Sequence, residues 1–74
     1  MYLEFQLPND GGYGATLAAY KIAVARWAKK QGIAYVDKNI KYKYRVTFDQ
    51  DKHYTVFTLT WNGQYEYKII DIKW

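Results

Sequence analysis

Few residues in this chain have side chains suited to catalysis. There is one histidine, His53, there is no cysteine, and there are seven acidic residues. Acid–base or nucleophilic catalysis requires such groups to converge in one site with shifted pKa values. The acidic residues fall mainly in predicted turns, and their spacing indicates no catalytic triad. We therefore expect a protein that is not an enzyme and that has no catalytic residues and no cofactor.

Two short stretches have the composition of ligand-binding loops. Asp49, Asp51 and His53 alternate and offer ligands for a divalent cation, but alternation in a short loop does not make side chains converge, and a fourth ligand is missing. The glycine-rich residues 8–14 occupy the place of a phosphate-binding loop before a helix, yet Asp10 puts a negative charge there. We interpret both stretches as turns and expect no metal site.

The cations are concentrated in the middle of the chain. The net charge is +4, and residues 21–45 hold eight basic side chains against one acidic side chain, Asp37. Such a segment attracts acidic proteins or nucleic acids. No apolar run is long enough to span a membrane, and we find no secretory signal, so we expect a cytoplasmic protein without a membrane partner. The length of 74 residues predicts one domain, residues 1–74.

One long segment, Thr16–Gln31, has helical periodicity. Apolar and aromatic positions recur in and just before it at steps of three and four, which places them on one stripe of a helix. The stripe comprises Tyr13, Leu17, Tyr20, Val24, Trp27 and Gln31. The opposite arc holds the cations Arg26, Lys29 and Lys30, together with the isolated aliphatic Ile22. Gly32 suits the left-handed residue that ends many helices.

Four other segments alternate between apolar and polar residues, as half-buried strands do. They are Tyr2–Leu7, Ile40–Phe48, His53–Thr60 and Gln64–Trp74. A short extended piece, Ala34–Val36, precedes the second of them and is followed by a predicted turn at Asp37–Asn39. Alignment of the apolar faces favours a three-residue turn at Trp61–Gly63, with Gly63 at positive φ.

The faces of these strands follow from the alternation. In the second segment Ile40, Tyr42, Tyr44, Val46 and Phe48 point inward, whereas Lys41, Lys43, Arg45 and Thr47 point outward. In the third, Thr55, Phe57 and Leu59 point inward, whereas Tyr54, Val56, Thr58 and Thr60 point outward. The sequence thus predicts an α+β fold in which a single helix packs on one face of a four-stranded, mainly antiparallel sheet. The order is β-α-β-β-β, with the first strand at an edge of the sheet.

Two classes of function fit this arrangement. The first is a small protein-binding module, for example an inhibitor of a host protein encoded by a virus or a mobile element, which binds an acidic protein surface. The expected contacts on the outer sheet face and the turn are Lys41, Lys43, Arg45, Tyr54, Val56, Thr58, Trp61 and Lys68. An alternative surface on the helix comprises Ile22, Arg26, Lys29 and Lys30. Self-association is left open.

The second class is a basic protein that binds RNA or single-stranded DNA on the same sheet face. The run Lys41–Phe48 matches the RNA-recognition-motif signature at Lys41, Val46 and Phe48. However, that signature displays stacking aromatics where this chain has Lys43 and Arg45, and a second helix is not predicted. We do not assign the chain to that family, and we favour the protein-binding class.

Overall fold

The computed structural model of the chain describes residues 1–63 and 65–71. Within these residues it contains four strands and two helices. In chain order they are β1 (Tyr2–Gln6), α1 (Tyr13–Gln31), β2 (Tyr35–Ile40), β3 (Lys43–Phe48), α2 (Lys52–Thr60) and β4 (Lys68–Ile70). The strands form one antiparallel sheet in the order β2-β3-β1-β4. The predicted α+β fold with a four-stranded antiparallel sheet is confirmed.

The sheet order places β1 in the interior, between β3 and β4. The prediction that the first strand lies at an edge is therefore wrong. Leu3 and Phe5 on β1 are fully inaccessible to solvent, and the strands on both sides of β1 contribute to this burial. β1 and β2 run parallel with β3 between them, and α1 connects them, so these elements form a split βαβ unit.

α1 confirms the predicted stripe and the predicted end of the helix. Tyr20, Val24, Trp27 and Ala28 are buried on it. Gly32 has φ 69°, and the backbone N–H of Ile33 donates to the carbonyl of Ala28 at 3.0 Å, as in a Schellman-type termination. The helix begins at Tyr13, three residues before the predicted Thr16.

α2 occupies the segment His53–Thr60, which was predicted to be a strand. The prediction of a single helix is therefore wrong. As a strand this segment would put Tyr54 and Phe57 on opposite faces, whereas helical spacing directs both into the core, where they are 3% and 0% exposed. Trp61 continues the same stripe, because it follows Phe57 by four residues. Tertiary packing thus outweighs the strand propensity of a segment rich in threonine and aromatic residues.

The hairpin between β2 and β3 also differs from the prediction. β2 extends to Ile40, so the expected turn at Asp37–Asn39 is part of a strand, and the observed turn is Lys41–Tyr42. Lys41 adopts φ 49°, a conformation more often taken by Gly or Asn. The turn is held because the backbone N–H of Leu7 donates to the carbonyl of Tyr42 at 2.7 Å. Tyr42 is consequently 50% exposed and is not a core residue.

The core lies between one face of the sheet and the two helices. Its buried side chains are Leu3, Phe5, Leu7, Tyr20, Val24, Trp27, Ala28, Tyr44, Val46, Phe48, Tyr54 and Phe57. Burial of the Tyr44 hydroxyl, together with its 2.7 Å hydrogen bond to Asp37 Oδ2, raises the pKa of that tyrosine well above its ordinary value. The neutral phenol therefore joins β3 to the edge strand β2.

The last predicted strand, Gln64–Trp74, is described in part. Its described strand is Lys68–Ile70, where Ile69 pairs with Leu3 on the inner side and Ile70 pairs with Tyr2 on the outer side. The predicted positions Gln64, Ile72, Lys73 and Trp74 lie outside the described residues. Neither of the two helices described has the combination of length and apolar character that crossing a lipid bilayer requires.

Candidate functional site: the outer face of the sheet

Both helices pack on the same face of the sheet, so in the described part of the chain its other face is not covered by a helix. Strand register and side-chain alternation define this outer sheet face. It comprises Tyr2, Glu4, Gln6, Val36, Lys38, Ile40, Lys43, Arg45, Thr47, Lys68 and Ile70. Four cations and one carboxylate lie on it, so the face contributes +3 to a protein whose net charge is +4.

The side chains of the outer sheet face form rows across the strands. A charged row runs through all four strands and consists of Lys38, Arg45, Glu4 and Lys68. Next to it runs a largely apolar row that consists of Val36, Thr47, Tyr2 and Ile70. Val36 is 72% exposed. The charged row thus forms a basic strip on the outer sheet face, and the apolar row forms an apolar strip beside it.

Arg45 is held at the centre of the outer sheet face. Its guanidinium carbon lies 4.6 Å from the centre of the Tyr2 ring, and its Nε lies 3.4 Å from Glu4 Oε1. The same carboxylate oxygen is 3.8 Å from Lys43 Nζ. The Glu4 side chain is only 12% exposed. Ion pairs at a surface contribute little to stability, so the main consequence is positional: Glu4 and Tyr2 fix the direction of the Arg45 side chain.

The structure brings together four of the predicted contacts. Lys43, Arg45 and Lys68 lie on the outer sheet face, and Lys41 lies in the adjoining hairpin turn. Lys38 joins them although it was not among the predicted contacts. The expectation of a basic cluster on this side of the sheet therefore agrees with the geometry.

Three other predicted contacts are not on the sheet at all, because they belong to α2 on the opposite side. Tyr54 is 3% exposed, and its hydroxyl donates to the Met1 carbonyl at 2.7 Å and accepts from the Phe48 N–H at 3.0 Å. Val56 is half-buried against the core. Thr58 is exposed on the helix, where its hydroxyl donates to the Tyr54 carbonyl. Their placement on the outer sheet face was wrong.

Trp61 was predicted to lie in a hairpin turn beside the outer sheet face, and this placement is wrong. Its ring stacks on Phe57 with centroids 4.7 Å apart and an interplanar angle of 20°. The expected three-residue hairpin turn does not form, because α2 rather than a strand precedes it. Gly63 does not have positive φ; instead it packs on the indole, and a Cβ built at this position would lie 2.7 Å from Trp61 Cε2.

Gly63→Val is expected to destabilise the protein by more than about 1 kcal/mol, because the added side chain must push the Trp61 ring away from Phe57. Gly11→Ala is the matched control, since a Cβ at Gly11 meets nothing within 4 Å and the change should stay within about 0.5 kcal/mol. Urea unfolding followed by circular dichroism measures both variants. Equal midpoints would contradict this packing of Trp61.

The alternative helix surface lies on the solvent side of α1, opposite to the outer sheet face. Ile22 is 54% exposed there, and the cations Arg26, Lys29 and Lys30 are exposed as well. Arg26 and Lys30 line one wall of a groove of about 280 Å³, whose other wall is the segment Thr60–Gly63. The predicted residues of this surface are thus together, but on a different side of the molecule from the basic cluster of the sheet.

The residues considered for catalysis or metal binding do not form a site in the described part of the chain. His53 Nδ1 lies 3.6 Å from Asp49 Oδ1 at the start of α2. No group of three His, Asp or Glu side chains there is arranged to hold a metal ion. In the glycine-rich turn, Asp10 Oδ1 accepts a hydrogen bond from the Gly12 N–H at 2.8 Å, which agrees with its interpretation as a turn.

Tyr2, Val36 and Lys38 belong to the outer sheet face but were absent from the predicted contacts. The sequence did contain evidence for Val36 and Lys38, because Val36, Lys38 and Ile40 alternate with Tyr35, Asp37 and Asn39 as residues of a strand do. The composition Asp-Lys-Asn, typical of turns, concealed this alternation.

Comparison of the sequence with protein-family models, with curated proteins and with solved structures finds no match. The geometry of the outer sheet face therefore stands on its own as the basis for a functional proposal.

Proposed function

We propose that the protein is a non-enzymatic binding module that uses its outer sheet face to hold an acidic surface of another protein. The observation that carries this proposal is the pairing of the charged row with the apolar row. Lys38, Lys43 and Lys68 supply exposed positive charge, and Val36 supplies exposed aliphatic area beside it. Protein interfaces commonly combine an apolar centre with a polar rim, and Arg and Tyr are enriched in them.

The preorganised Arg45 supports the same proposal. A guanidinium that is already fixed loses less side-chain freedom when it binds a carboxylate, so its geometry favours specific recognition of an acidic side chain. Contacts between the basic strip and carboxylates would also accelerate association with an acidic partner.

Nucleic-acid binding is the competing proposal, and the same cations favour it. The presence of α2 also favours it, because the absence of a second helix was one objection to a likeness with the RNA-recognition motif. Two features speak against it. Tyr2 is the aromatic residue on the described outer face, and its ring already contacts Arg45, so it is poorly available for a base. Glu4 pairs with Arg45 and Lys43 at the centre of the face, so the cations do not form the uninterrupted basic track that a chain of phosphates binds.

Site-specific photo-crosslinking tests the proposal. Benzoylphenylalanine at Thr47, which is exposed on the outer sheet face, is compared with the same residue at Ala18, which is exposed on α1. After irradiation in a lysate of the source cells, with and without nuclease, we expect a discrete protein adduct from Thr47 that Ala18 does not give and that persists after nuclease treatment.

Other outcomes of this experiment are equally informative. Nucleic-acid adducts from Thr47 that nuclease removes would support the competing function. An adduct between two copies of the chain would assign the outer sheet face to self-association. Equal labelling from Thr47 and Ala18 would contradict a specific interface on the sheet.

A further inference from the structure

β2 is an edge strand, and no further strand lies beside it among the described residues. It is six residues long, and its central residues Val36, Asp37, Lys38 and Asn39 are all exposed. A strand of this length is typical of strands in folded proteins. Its open side presents backbone donors and acceptors that another extended chain can satisfy.

The register identifies which backbone groups are free. Ile40 and Lys43 flank the two-residue turn directly, and in such hairpins the flanking residues form a hydrogen-bonded pair. By alternation, Lys38 and Val36 also exchange backbone hydrogen bonds with β3. The N–H and C=O groups of Tyr35, Asp37 and Asn39 therefore point to the open edge.

The side chains along this edge carry charges of opposite sign on opposite faces. Lys38 lies on the outer sheet face, at the end of the charged row. Asp37 lies on the inner side, where its Oδ2 accepts the hydrogen bond from Tyr44 at 2.7 Å. Its Oδ1 forms no hydrogen bond within the described part of the chain and is free to accept one from a partner.

These charges oppose pairing of the edge with a second copy of itself. Two copies can pair their β2 edges antiparallel about a twofold axis, with the helices of both copies on the same side of the joined sheet. Every such register is centred on one residue, which lies directly opposite its own copy. The two registers with the longest overlap are centred on Asp37 or on Lys38, so each places like charges directly opposite each other, which is unfavourable. A strand from a different chain has no such restriction.

We propose that the open edge of β2 accepts an extended segment of the partner protein as a fifth strand, with an acidic residue opposite Lys38 and a basic residue opposite Asp37. Strand addition supplies affinity through backbone hydrogen bonds and specificity through alternate side chains. The acidic residue of the segment lies next to the basic strip of the outer sheet face, so one partner contacts both. This inference rests on the proposed function in taking the partner to be a protein.

The test uses two capped peptides designed to pair antiparallel with β2. Thr-Glu-Lys-Val-Thr sets Glu opposite Lys38, Lys opposite Asp37 and Val opposite Val36; Thr-Lys-Lys-Val-Thr changes only the residue opposite Lys38. During NMR titration of the full chain, the first peptide should shift the backbone amides of Tyr35, Asp37 and Asn39 and slow their hydrogen exchange. We expect it to bind about fivefold more tightly than the second, from the energies of cross-strand charge pairs.

Charge reversal separates this local contact from general attraction to a basic protein. In the Lys38→Glu variant the order of the two affinities should invert. In the matched control Lys21→Glu, which changes the same charge on an exposed position of α1, the original order should remain. The inference is overturned if the amides of Tyr35, Asp37 and Asn39 do not respond to either peptide, or if Lys38→Glu does not invert the preference.

This result is independent of the photo-crosslinking result. A response at β2 without a protein adduct from Thr47 would leave strand addition standing and reject the sheet-face proposal. A protein adduct from Thr47 with no response at β2 would do the reverse. The same amides could also be protected from hydrogen exchange before any peptide is added, with a protection that increases with protein concentration. That result would show that a second copy occupies the edge, and it would reject the proposed partner.

Discussion

Tyr54→Ala is expected to lower the free energy of unfolding by about 3–5 kcal/mol, by analogy with other large aromatic truncations in cores. The ring is 3% exposed and packs 4.8 Å from the Phe48 ring. Its hydroxyl also satisfies the Phe48 N–H, which the variant leaves without this partner. A domain of this size has a total stability of only about 4–11 kcal/mol, so much of the variant should be unfolded at room temperature.

Urea unfolding followed by circular dichroism measures this effect. Thr55→Ala is the matched control, because Thr55 neighbours Tyr54 on α2 but is exposed, and we expect a change within about 0.5 kcal/mol. The pair also tests the secondary structure of the segment. If it were the predicted strand with Tyr54 outward, Tyr54→Ala would cost no more than the control.

Trp27→Ala is expected to have a comparable effect, about 3–5 kcal/mol. Trp27 connects three elements, because its ring lies 4.8 Å from Phe57 on α2 and 5.5 Å from Phe48 on β3. Its Nε1–H donates to the Thr60 hydroxyl at 2.8 Å. The truncation leaves a cavity at the junction of both helices and the sheet, and removes the hydrogen bond that holds the end of α2 against α1.

Arg26→Ala provides the comparison, because Arg26 precedes Trp27 on α1 but is exposed. Thermal unfolding should show a large loss for Trp27→Ala and a change within about 0.5 kcal/mol for Arg26→Ala. Similar melting temperatures for the two variants would mean that the buried side of α1 is assigned incorrectly.

The sequence predicted α1 well because several local signals agreed there. The stripe through Tyr20, Val24 and Trp27, the cations at the end and Gly32 all favour the same helix. The inward positions Tyr44, Val46 and Phe48 of β3 were predicted for a similar reason, since alternation alone decides the face of a half-buried strand.

α2 was not predicted because its local and tertiary preferences conflict. Threonine, valine and aromatic residues favour strands, and nothing local in residues 52–60 strongly favours a helix. The helix forms because only helical spacing brings Tyr54, Phe57 and Trp61 to one side, where Phe5, Phe48 and Trp27 receive them. This spacing of three and four residues was visible in the sequence, but the alternation of the same segment concealed it.

Only part of the candidate site was predicted, because each residue was placed correctly only where the secondary structure of its segment was. Lys43, Arg45 and Lys68 were assigned correctly to the outer sheet face, because their strands were recognised. Tyr54, Val56 and Thr58 were assigned to it only because α2 was taken for a strand. The turn at Lys41–Tyr42 contains no Gly, Pro or Asn, so nothing marked the end of β2, and Val36 and Lys38 were missed.

The most direct test of the proposed function compares two variants with the same change in charge. One carries Lys43→Gln, Arg45→Gln and Lys68→Gln on the outer sheet face; the other carries Lys21→Gln, Lys29→Gln and Lys30→Gln on the exposed side of α1. Circular dichroism first establishes that both are folded. Titration calorimetry then measures their affinity for the protein captured through Thr47.

We expect the sheet-face variant to bind that protein at least about tenfold more weakly than the unmodified chain, which corresponds to about 1.4 kcal/mol. The α1 variant should stay within about threefold of the unmodified chain, because its charges lie on the other side of the molecule and are screened at physiological salt. Equal weakening by both variants, or weakening by the α1 variant alone, would contradict the assignment of the outer sheet face as the binding surface.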